Sequence, residues 1–352
     1  MTPLTKLLTR RIATVGPITL ADYMADCLLH PDHGYYATRE PFGTAGDFIT
    51  APEISQMFGE LMGLSLAQSW LDQGAPAPFT LAEIGPGRGT LMADILRATR
   101  NVPGFHAAMR VVLVEASARL RDVQRARLEP YAITWADTVA ELPQGPLFLI
   151  ANEFFDALPI RQFTRDGDGW RETMVALQDG RLVRALAPKA RLAQLEARMN
   201  DTADGDVVEI CPEAGPIIGQ IADRICQYGG AALIIDYGGW ISRGDTFQAL
   251  RDHRFADPLA EPGLADLTAH VDFAALAAAA GPVATAYTTQ GEMLERLGIA
   301  ARADRLAGQL TGASLQAHLT ATQRLTDTQE MGSLFKVLAL YPKGTPTPAG
   351  AA

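Results

Sequence analysis

The sequence has few cysteines and no long apolar run, and both absences narrow the class of protein. Its 352 residues include three cysteines, at positions 27, 211 and 226, with no C-x-x-C pair among them. Such a set offers neither a disulfide framework nor a zinc site, so we predict a reducing compartment and no bound metal. No apolar run is long enough to span a membrane, and residues 12–20 are too short and interrupted for a signal-peptide core. These absences predict a cytoplasmic protein without membrane insertion.

The sequence also lacks an excess of positive charge. It has 30 Lys and Arg against 40 Asp and Glu, a formal net charge of -10. Nucleic-acid binding depends on basic side chains that replace the counterions of phosphates, so no nucleic-acid partner is expected. A cationic substrate fits this charge better, but an acidic balance is also common among ordinary soluble proteins.

Strand and helix patterns alternate from residue 79 onward, which is typical of a parallel sheet covered by helices on both faces. The predicted strands are residues 79–84, 111–114, 133–136, 146–151 and 231–235, with later strands from 283 and at 334–341, and the intervening helices include 90–97 and 117–128. We therefore predict an α/β fold. Two helices are expected in residues 1–30, and another from Glu53 to about Trp70.

Residues 159–206 alternate polar and apolar side chains, a pattern that predicts a small antiparallel insertion. A loop rich in glycine and aspartate is expected at residues 238–266. We accordingly divide the chain into an N-terminal helical extension and lid (1–75), a first part of the core (76–158), the antiparallel insertion (159–206), a second part of the core with a loop and helical insertion (207–342) and a flexible tail (343–352).

A glycine-rich turn follows the first predicted strand and precedes a helix. Gly85, Gly87 and Gly89 recur at every second residue, whereas nicotinamide sites favour a third glycine at the position that Thr90 occupies. Such a turn lets backbone amides approach a ligand, although it could also be a sharp connection without one. Glu83 precedes the turn and would repel a pyrophosphate, but an amino-acid-bearing cofactor would tolerate it. Its alternative is a solvated strand end.

Acidic residues end the next two predicted strands. Glu115 follows the strand 111–114 and can accept hydrogen bonds from both hydroxyls of a ribose. Asp137 follows the strand 133–136 and can accept from an adenine amino group, or can act instead as a helix N-cap. With the glycine turn and Glu83, these residues predict a nucleoside-containing cofactor.

A polar loop, Asn152 to Pro159, leaves the carboxyl edge of the sheet, where doubly wound folds place their chemistry. An arginine substrate keeps its proton up to a pKa above about 12, so carboxylates must orient its guanidinium and stabilise its charge. Asn152, Glu153 and Asp156 are the predicted catalytic residues. Alternatively, Asn152 and Asp156 form an Asx turn while Glu153 faces water. Asp236 follows the fifth strand and either supports this site or forms a structural turn.

Two loops before the first strand have a composition that suits a ligand-binding surface. They span residues 30–36 and 43–52, and we expect a substrate contact or lid from Tyr35, Tyr36, Asp47, Phe48 and Thr50. Isolated histidines are more often structural than catalytic. His270 comes closest to an exception, because its neighbours predict a helix entry that could face the site.

Seven motifs, in this order, resemble those of a known family: residues 33–36 (HGYY), 46–53 (GDFITAPE), 83–91 (EIGPGRGTL), 152–159 (NEFFDALP), 236–238 (DYG), 269–273 (AHVDF) and 331–337 (MGSLFKV). With these motifs the chain resembles the MidA-type protein arginine methyltransferases, a bacterial and mitochondrial family linked to the assembly of respiratory complex I. The resemblance covers nearly the whole chain. It departs at residues 209–213 (EICPE), where the family has EISPE, and is looser at residues 244–247.

The resemblance implies a class I methyltransferase fold, with a mostly parallel seven-stranded sheet, helices on both faces and S-adenosyl-L-methionine at the glycine turn. It also implies symmetric dimethylation of an arginine in a peripheral-arm subunit of complex I, in the bacterial cytoplasm or, in a eukaryote, the mitochondrial matrix. Three alternatives stay open from the residues alone: a small-molecule methyltransferase, a non-catalytic assembly factor that binds the cofactor, and, more remotely, a nicotinamide dehydrogenase.

Overall fold

A computed structural model describes residues 2–38 and 50–352 of the chain. The chain divides into two units, which we name by their main features. The N-terminal unit comprises Met1–Phe48, Phe155–Ala214 and Gly239–Asp272, and the sheet unit comprises Ile49–Phe154, Gly215–Gly238 and Phe273–Ala352. Asp47 and Phe48, which the sequence assigns to a lid, lie outside the described residues.

The secondary structure is given in chain order for the described residues. The helices are α1 Pro3–Val15, α2 Leu20–Leu29, α3 Tyr35–Thr38, α4 Ala51–Ile54, α5 Gln56–Asp72, α6 Thr90–Thr99, α7 Phe105–Ala108, α8 Ala118–Arg127, α9 Ala214–Tyr228, α10 Phe273–Ala279, α11 Gln290–Arg296, α12 Ile299–Ala307, α13 Gly312–Thr326 and α14 Met331–Leu334. The strands are β1 Ile18–Thr19, β2 Phe79–Ile84, β3 Met109–Val114, β4 Ile133–Ala136, β5 Leu147–Asn152, β6 Arg161–Asp166, β7 Gly169–Gln178, β8 Arg181–Leu186, β9 Val207–Ile210, β10 Gly230–Gly239, β11 Gln248–Arg251, β12 Arg254–Ala256, β13 Asp266–Thr268, β14 Val271–Asp272, β15 Ala284–Thr289 and β16 Phe335–Tyr341.

The sheet unit is built on strands in the order β15-β16-β10-β5-β2-β3-β4. The five strands from β10 to β4 pair in parallel, and β16 runs antiparallel to both β10 and β15. Every residue of β2 and of β5 is buried. Parallel strands covered on both faces are buried in this way, which explains why most of their side chains are apolar. The predicted α/β fold is confirmed, and the sheet is mixed.

Helices α5 and α6 pack closely in the sheet unit. A Cβ atom at Gly59 would lie 2.6 Å from Cβ of Asp94, and one at Gly63 would lie 2.9 Å from Cα of Ile95. Glycines at this contact therefore allow the two backbones to approach. The helix predicted from Glu53 to Trp70 is in fact two helices, because Ser55 is extended (φ -155°) and its side chain accepts from the N–H of Met57 to cap α5.

The N-terminal unit contains the predicted antiparallel insertion as part of a larger sheet. Its strand order is β1-β7-β6-β9, and β8 pairs with β7. Every pairing between these strands is antiparallel. Strands β6 to β8 lie within the predicted range 159–206, whereas β1 and β9 come from outside it. Helices α1 and α2 are also found as expected, and Thr19 and Asp22 form a capping box at the start of α2.

The loop predicted at residues 238–266 contains regular structure, so that prediction is wrong in part. Strands β11, β12 and β13 form a three-stranded antiparallel sheet in the order β12-β11-β13. The turn between β11 and β12 places Asp252 and His253 in left-handed conformations, with φ of 50° and 59°. Two-residue hairpins need such positive φ values, and the usual sequence signal for them is Asn-Gly or Asp-Gly. The sequence Asp-His lacks this signal, so the hairpin could not be predicted from the sequence.

The last ten residues, for which the sequence predicts a flexible tail, make contacts with the rest of the sheet unit. Ala351 is buried, and the hydroxyl of Ser65 donates to the carbonyl of Ala349 at 2.7 Å. Arg296 also donates to the carbonyl of Gly350. Composition suggests fraying at such a terminus, but these contacts hold the backbone on the surface of the sheet unit. Across the described residues, none of the helices is both long and apolar enough to traverse a bilayer.

Candidate active site

The glycine turn lies between β2 and α6 and has the conformation that only glycine adopts readily. Gly85, Gly87 and Gly89 have φ values of 63°, 51° and 75°. A Cβ atom at Gly85 would also lie 2.9 Å from Cδ2 of Phe154. Gly89 is the N-cap of α6, so the positive end of the helix dipole lies at this turn. The turn can therefore bind a negatively charged or carboxylate-bearing group.

Glu83 lies at the end of β2, immediately before the turn, and is buried with only 3% of its surface exposed. Burial raises the pKa of Glu83 to about 8, the N–H of Met92 in α6 opposes this rise, and the charge of Glu115 adds to it. Its Oε2 atom is buried without a hydrogen-bond partner among the described residues. The alternative of a solvated strand end is therefore wrong. A buried carboxyl group beside a glycine turn, with one oxygen that accepts no hydrogen bond from the described residues, can bind a cationic ligand group.

Glu115 follows β3 and is held by hydrogen bonds on both carboxylate oxygens. Oε1 accepts from the N–H of Ser117 at 2.8 Å, and Oε2 accepts from Nε2 of Gln124 at 3.2 Å. Burial raises the pKa of this carboxyl, and these donors oppose the rise. Each carboxylate oxygen has two acceptor positions, so a ribose could still bind the remaining ones.

Gln124 is a residue of the site that sequence patterns did not single out. It lies on α8 between Leu120 and Leu128, and all three side chains are buried. The rest of α8 is rich in arginine. The sequence signal for a buried role was therefore the position of the glutamine four residues from each of two leucines, on the apolar face of the helix. Besides Glu115, its Nε2 donates to the carbonyl of Gly87 at 2.8 Å. Gln124 therefore connects the glycine turn with the acidic end of β3.

Asp137 follows β4 and is exposed, with 67% of its side chain accessible. Its carboxylate accepts from Arg121 at 2.5 Å, and the same guanidinium donates to the backbone carbonyls of Glu115 and Ala136. The alternative of an N-cap is wrong, because Thr138 occupies that position in the short 3-10 turn Val139–Glu141. Arg121 thus links the ends of β3 and β4 and places Asp137 beside them.

Besides the glycine turn and the acidic ends of β3 and β4, a further cluster of polar side chains lies at the ends of β5 and β10. Glu153 has a φ of 52°, a left-handed conformation that is uncommon outside glycine and typical of functional sites. Its Oε1 accepts from the N–H of Ala51 at 3.2 Å and from Nδ2 of Asn152 at 3.0 Å. The Oδ1 atom of Asn152 is buried and has no partner in the described part of the chain. Glu153 is therefore held in place rather than facing water freely.

Asp236, on β10, supports this group from the neighbouring strand. It is fully buried, and its carboxylate accepts from the N–H groups of Phe154 at 3.2 Å and Tyr237 at 3.0 Å. Ile235 pairs with Asn152 across the two strands, and its carbonyl accepts from the N–H of Glu153. Asp236 therefore fixes the loop that follows β5, as the sequence analysis allowed.

A second residue that the sequence did not single out links α4 to the glycine turn. Glu53 accepts from the hydroxyl of Thr90 at 2.5 Å. Thr90 is the first residue of α6, and Thr50 is the N-cap of α4, without a side-chain capping bond. The bond between Glu53 and Thr90 joins positions 37 residues apart, so sequence spacing could not reveal it.

The remaining predicted residues belong to the N-terminal unit. Tyr36 donates to Asp266 at 3.1 Å, and burial together with the charges of Asp266 and Asp156 raises the pKa of Tyr36 well above its usual value. Tyr35 is fully buried and stacks edge to face on Tyr36. Asp156 is buried, and its backbone carbonyl accepts from Ala269. His270 donates through its backbone N–H to Thr246 at 2.8 Å.

The sheet unit thus has a glycine turn and acidic side chains at the carboxyl ends of adjacent parallel strands, which defines a doubly wound α/β protein with a nucleoside-type ligand site. Within the described residues no cluster of His, Cys, Asp and Glu is arranged to hold a metal ion. Residues 61–291 match the family of S-adenosyl-L-methionine-dependent methyltransferases. The chain belongs to this family, in its MidA-type branch, and its cofactor is S-adenosyl-L-methionine.

The chain is similar over nearly its whole length to curated relatives. It is 38% identical to the mitochondrial protein arginine methyltransferase NDUFAF7 of Homo sapiens, with 97% of this chain and 84% of the relative covered. Identity to NDUFAF7 of Xenopus tropicalis is 37%, with coverage of 95% and 84%.

A solved structure is similar as well. It is a Burkholderia thailandensis protein bound to S-adenosyl-homocysteine, with a TM-score of 0.83, 30% identity and coverage of 99% of this chain and 94% of that one. The likeness shows that the α/β fold is methyltransferase-like.

Proposed function

We propose that this protein is a protein-arginine N-methyltransferase. The observation that carries the proposal is the alignment of carboxyl groups at the ends of neighbouring strands, Glu115 after β3, Glu83 on β2 and Glu153 after β5, beside the glycine turn. Parallel strands present their carboxyl ends at one edge, so these side chains share that edge. Glu83 and Glu115 face the proposed cofactor, and the carboxylate of Glu153 matches a cationic acceptor such as a guanidinium. The relatives named as arginine methyltransferases support the same choice.

The cofactor is proposed to bind at the β2 and β3 ends of the sheet unit. We assign its contacts to Glu83, Gly85, Gly87, Gly89, Glu115 and Asp137. Glu83 would face the amino group of the methionine part, Glu115 the ribose and Asp137 the adenine amino group. Because Glu83 has an unused buried oxygen and Glu115 is held by Ser117 and Gln124, both are arranged in advance of binding.

The acceptor is proposed to bind at the loop after β5. When bound, the cofactor supplies an electrophilic methyl group on sulfur. Glu153 would orient the guanidinium and accept the proton that its nitrogen loses as the new N–C bond forms, while the S–CH3 bond breaks and sulfur keeps the electron pair. Asn152 would accept an N–H of the acceptor at its unpartnered Oδ1. Asp156 belongs to the N-terminal unit, and its catalytic role stays a prediction.

The family resemblance also suggests the acceptor, the compartment and the type of sheet. We propose symmetric dimethylation of an arginine in a peripheral-arm subunit of complex I, in the bacterial cytoplasm or the mitochondrial matrix. We also propose that the seven-strand path of the sheet unit is the sheet of the class I methyltransferase fold. Thr50 and Asp236 of the sheet unit are proposed to contact the substrate, and the roles in substrate contact or a lid predicted for Tyr35, Tyr36, Asp47, Phe48 and His270 stay predictions.

The test is methyl transfer from labelled cofactor to purified peripheral-arm subunits of complex I, followed by mass mapping of the labelled residue. We expect symmetric dimethylarginine in one subunit. Glu153→Gln should lower kcat by about a hundredfold or more, since it removes the proton acceptor, while S-adenosyl-homocysteine affinity stays near that of the wild type. Glu295→Gln, an exposed carboxylate on α11, is the matched control and should not change either value. Label in a low-mass product and on no arginine would refute the proposed acceptor.

A further inference from the structure

The side chain of Gln124 uses both of its N–H groups and its carbonyl in one buried network. Nε2 donates to Gly87 and Glu115, and Oε1 accepts from Nε1 of Trp135 at 2.8 Å. The indole of Trp135 can only donate, so it must face the oxygen of the amide. The two N–H groups are then left for the two acceptors. The amide therefore has a single orientation, which its neighbours determine.

This network also sets the direction of the glycine turn. In a trans peptide, the carbonyl of one residue and the N–H of the next point in opposite directions. Because Gln124 holds the carbonyl of Gly87 toward α8, the N–H of Arg88 points away from α8. Helix α8 also contacts the turn at Gly89, where an added Cβ would lie 3.5 Å from Cγ of Gln124. One side chain thus controls both the orientation of the turn and its distance from the helix.

We propose that Gln124 is a positioning residue for the cofactor, because it holds the amides of the glycine turn and the carboxylate of Glu115 in the relative arrangement that binding requires. It acts through Gly87 and Glu115 and does not itself need to contact the ligand. This inference rests on the proposed placement of the cofactor at the turn. It adds α8 to the strand ends and the turn as an element that builds the site.

If Gln124 had only a structural role, replacing it would lower stability without a specific effect on cofactor binding. Gln290 is a matched control for this comparison. Gln290 on α11 is also fully buried, and its Nε2 donates to the backbone carbonyl of Leu325 at 2.9 Å. Within the described residues it makes no hydrogen bond to the glycine turn or to Glu115. Replacing either glutamine with methionine keeps the side-chain length and removes the hydrogen bonds. Both changes should lower the melting temperature, but only one of them alters a proposed cofactor contact.

The experiment measures binding of S-adenosyl-homocysteine to the full chain by calorimetry, together with the melting temperature of each variant. We expect Gln124→Met to weaken binding at least tenfold and Gln290→Met to leave it within twofold of the wild type. In methyl-transfer assays, Gln124→Met should raise KM for the methyl donor and change kcat little. Equal binding by the two variants would overturn the inference.

Gln124→Glu gives a second measurement that does not depend on comparing stabilities. Its carboxylate would lie beside Glu115, whose other charged neighbours are Arg121 on α8 and Glu83 on β2. Two adjacent carboxyl groups cannot both ionise easily, so one takes up a proton as the pH falls and can donate again. The ratio of the dissociation constant of Gln124→Glu to that of the wild type should therefore fall as the pH is lowered. A ratio that does not depend on pH would contradict the inference.

The outcomes separate this inference from the proposed function. If the wild type labels no arginine but Gln124→Met still weakens S-adenosyl-homocysteine binding, the acceptor is wrong and the positioning role stands. If Glu115→Gln weakens binding and Gln124→Met does not, the cofactor lies at the turn and the positioning role is refuted.

Discussion

The buried carboxyl group of Glu83 should make the free energy of unfolding depend on pH. Its pKa is raised from an ordinary value of 4.5 to about 8, first because of burial and then because of the charge of Glu115. In the unfolded chain the group ionises near 4.5, whereas in the folded protein it keeps its proton up to about pH 8. Folding therefore takes up a proton between these two values. The stabilising effect of the neutral group is complete below the unfolded pKa and is lost as the pH rises through the folded one.

The size of the effect follows from the shift. Between the two pKa values the free energy of unfolding should fall by about 1.4 kcal/mol for each pH unit because of this group alone. Over the whole window the loss amounts to about 5 kcal/mol. Glu83→Gln cannot ionise, so it should not show this slope. The amide adds N–H donors where Oε2 has no partner in the described residues, which should cost about 1–3 kcal/mol at every pH.

The assay is urea unfolding of the cofactor-free protein and of Glu83→Gln between pH 5.5 and 8.5, followed by circular dichroism. The quantity to plot is the difference between the two free energies of unfolding, because other titrating groups cancel in it. We expect the wild type to lose about 3 kcal/mol of free energy of unfolding relative to the variant between pH 5.5 and pH 8. A difference that stays constant from pH 5.5 to 8 would refute the assignment of a raised pKa to Glu83.

The fold of the sheet unit was predictable because its central strands, β2 and β5, are buried throughout and its other parallel strands are mostly apolar. Strand β2 is found at the predicted residues 79–84, and β4 at 133–136. Short, mostly apolar runs between turn formers favour strands of a parallel sheet, because they are too short for typical helices. The acidic residues that follow such strands are equally accessible to sequence analysis. Glu115 could be placed at the edge of the sheet for this reason.

Features that depend on contacts between distant residues were not predictable. The bond from Gln124 to Gly87 joins positions 37 residues apart, and its three partners lie on different elements. A glutamine in a helix gives no local sign of its partners. The break at Ser55 was missed for another reason. Apolar side chains continue at helical spacing on both sides of it, and the capping serine was hidden within that pattern.

Composition alone does not reveal the tertiary contacts of the C-terminal residues. The C-terminal residues are rich in proline, glycine and alanine, which is typical of a frayed end. The bond from Ser65 to Ala349 and the burial of Ala351 hold them in place instead. Small side chains suit a backbone that lies close to a helix, so the same composition is compatible with packing.

Two further predictions follow from local geometry. Thr19→Ala removes the side chain that caps α2 and takes part in the capping box with Asp22, so it should lower the free energy of unfolding by about 1 kcal/mol; an unchanged urea midpoint would contradict this role. Gly85→Ala should be more damaging, because its φ of 63° disfavours a side chain and the added Cβ would lie 2.9 Å from Phe154. A loss of about 1–3 kcal/mol is expected, together with weaker binding of S-adenosyl-homocysteine in calorimetry. Gly219→Ala is the control, since its Cβ would enter open space on α9 and should stabilise that helix by about 0.5–1 kcal/mol. If the two alanine variants bound S-adenosyl-homocysteine equally well, the conformation of the turn at Gly85 could not be what the cofactor requires.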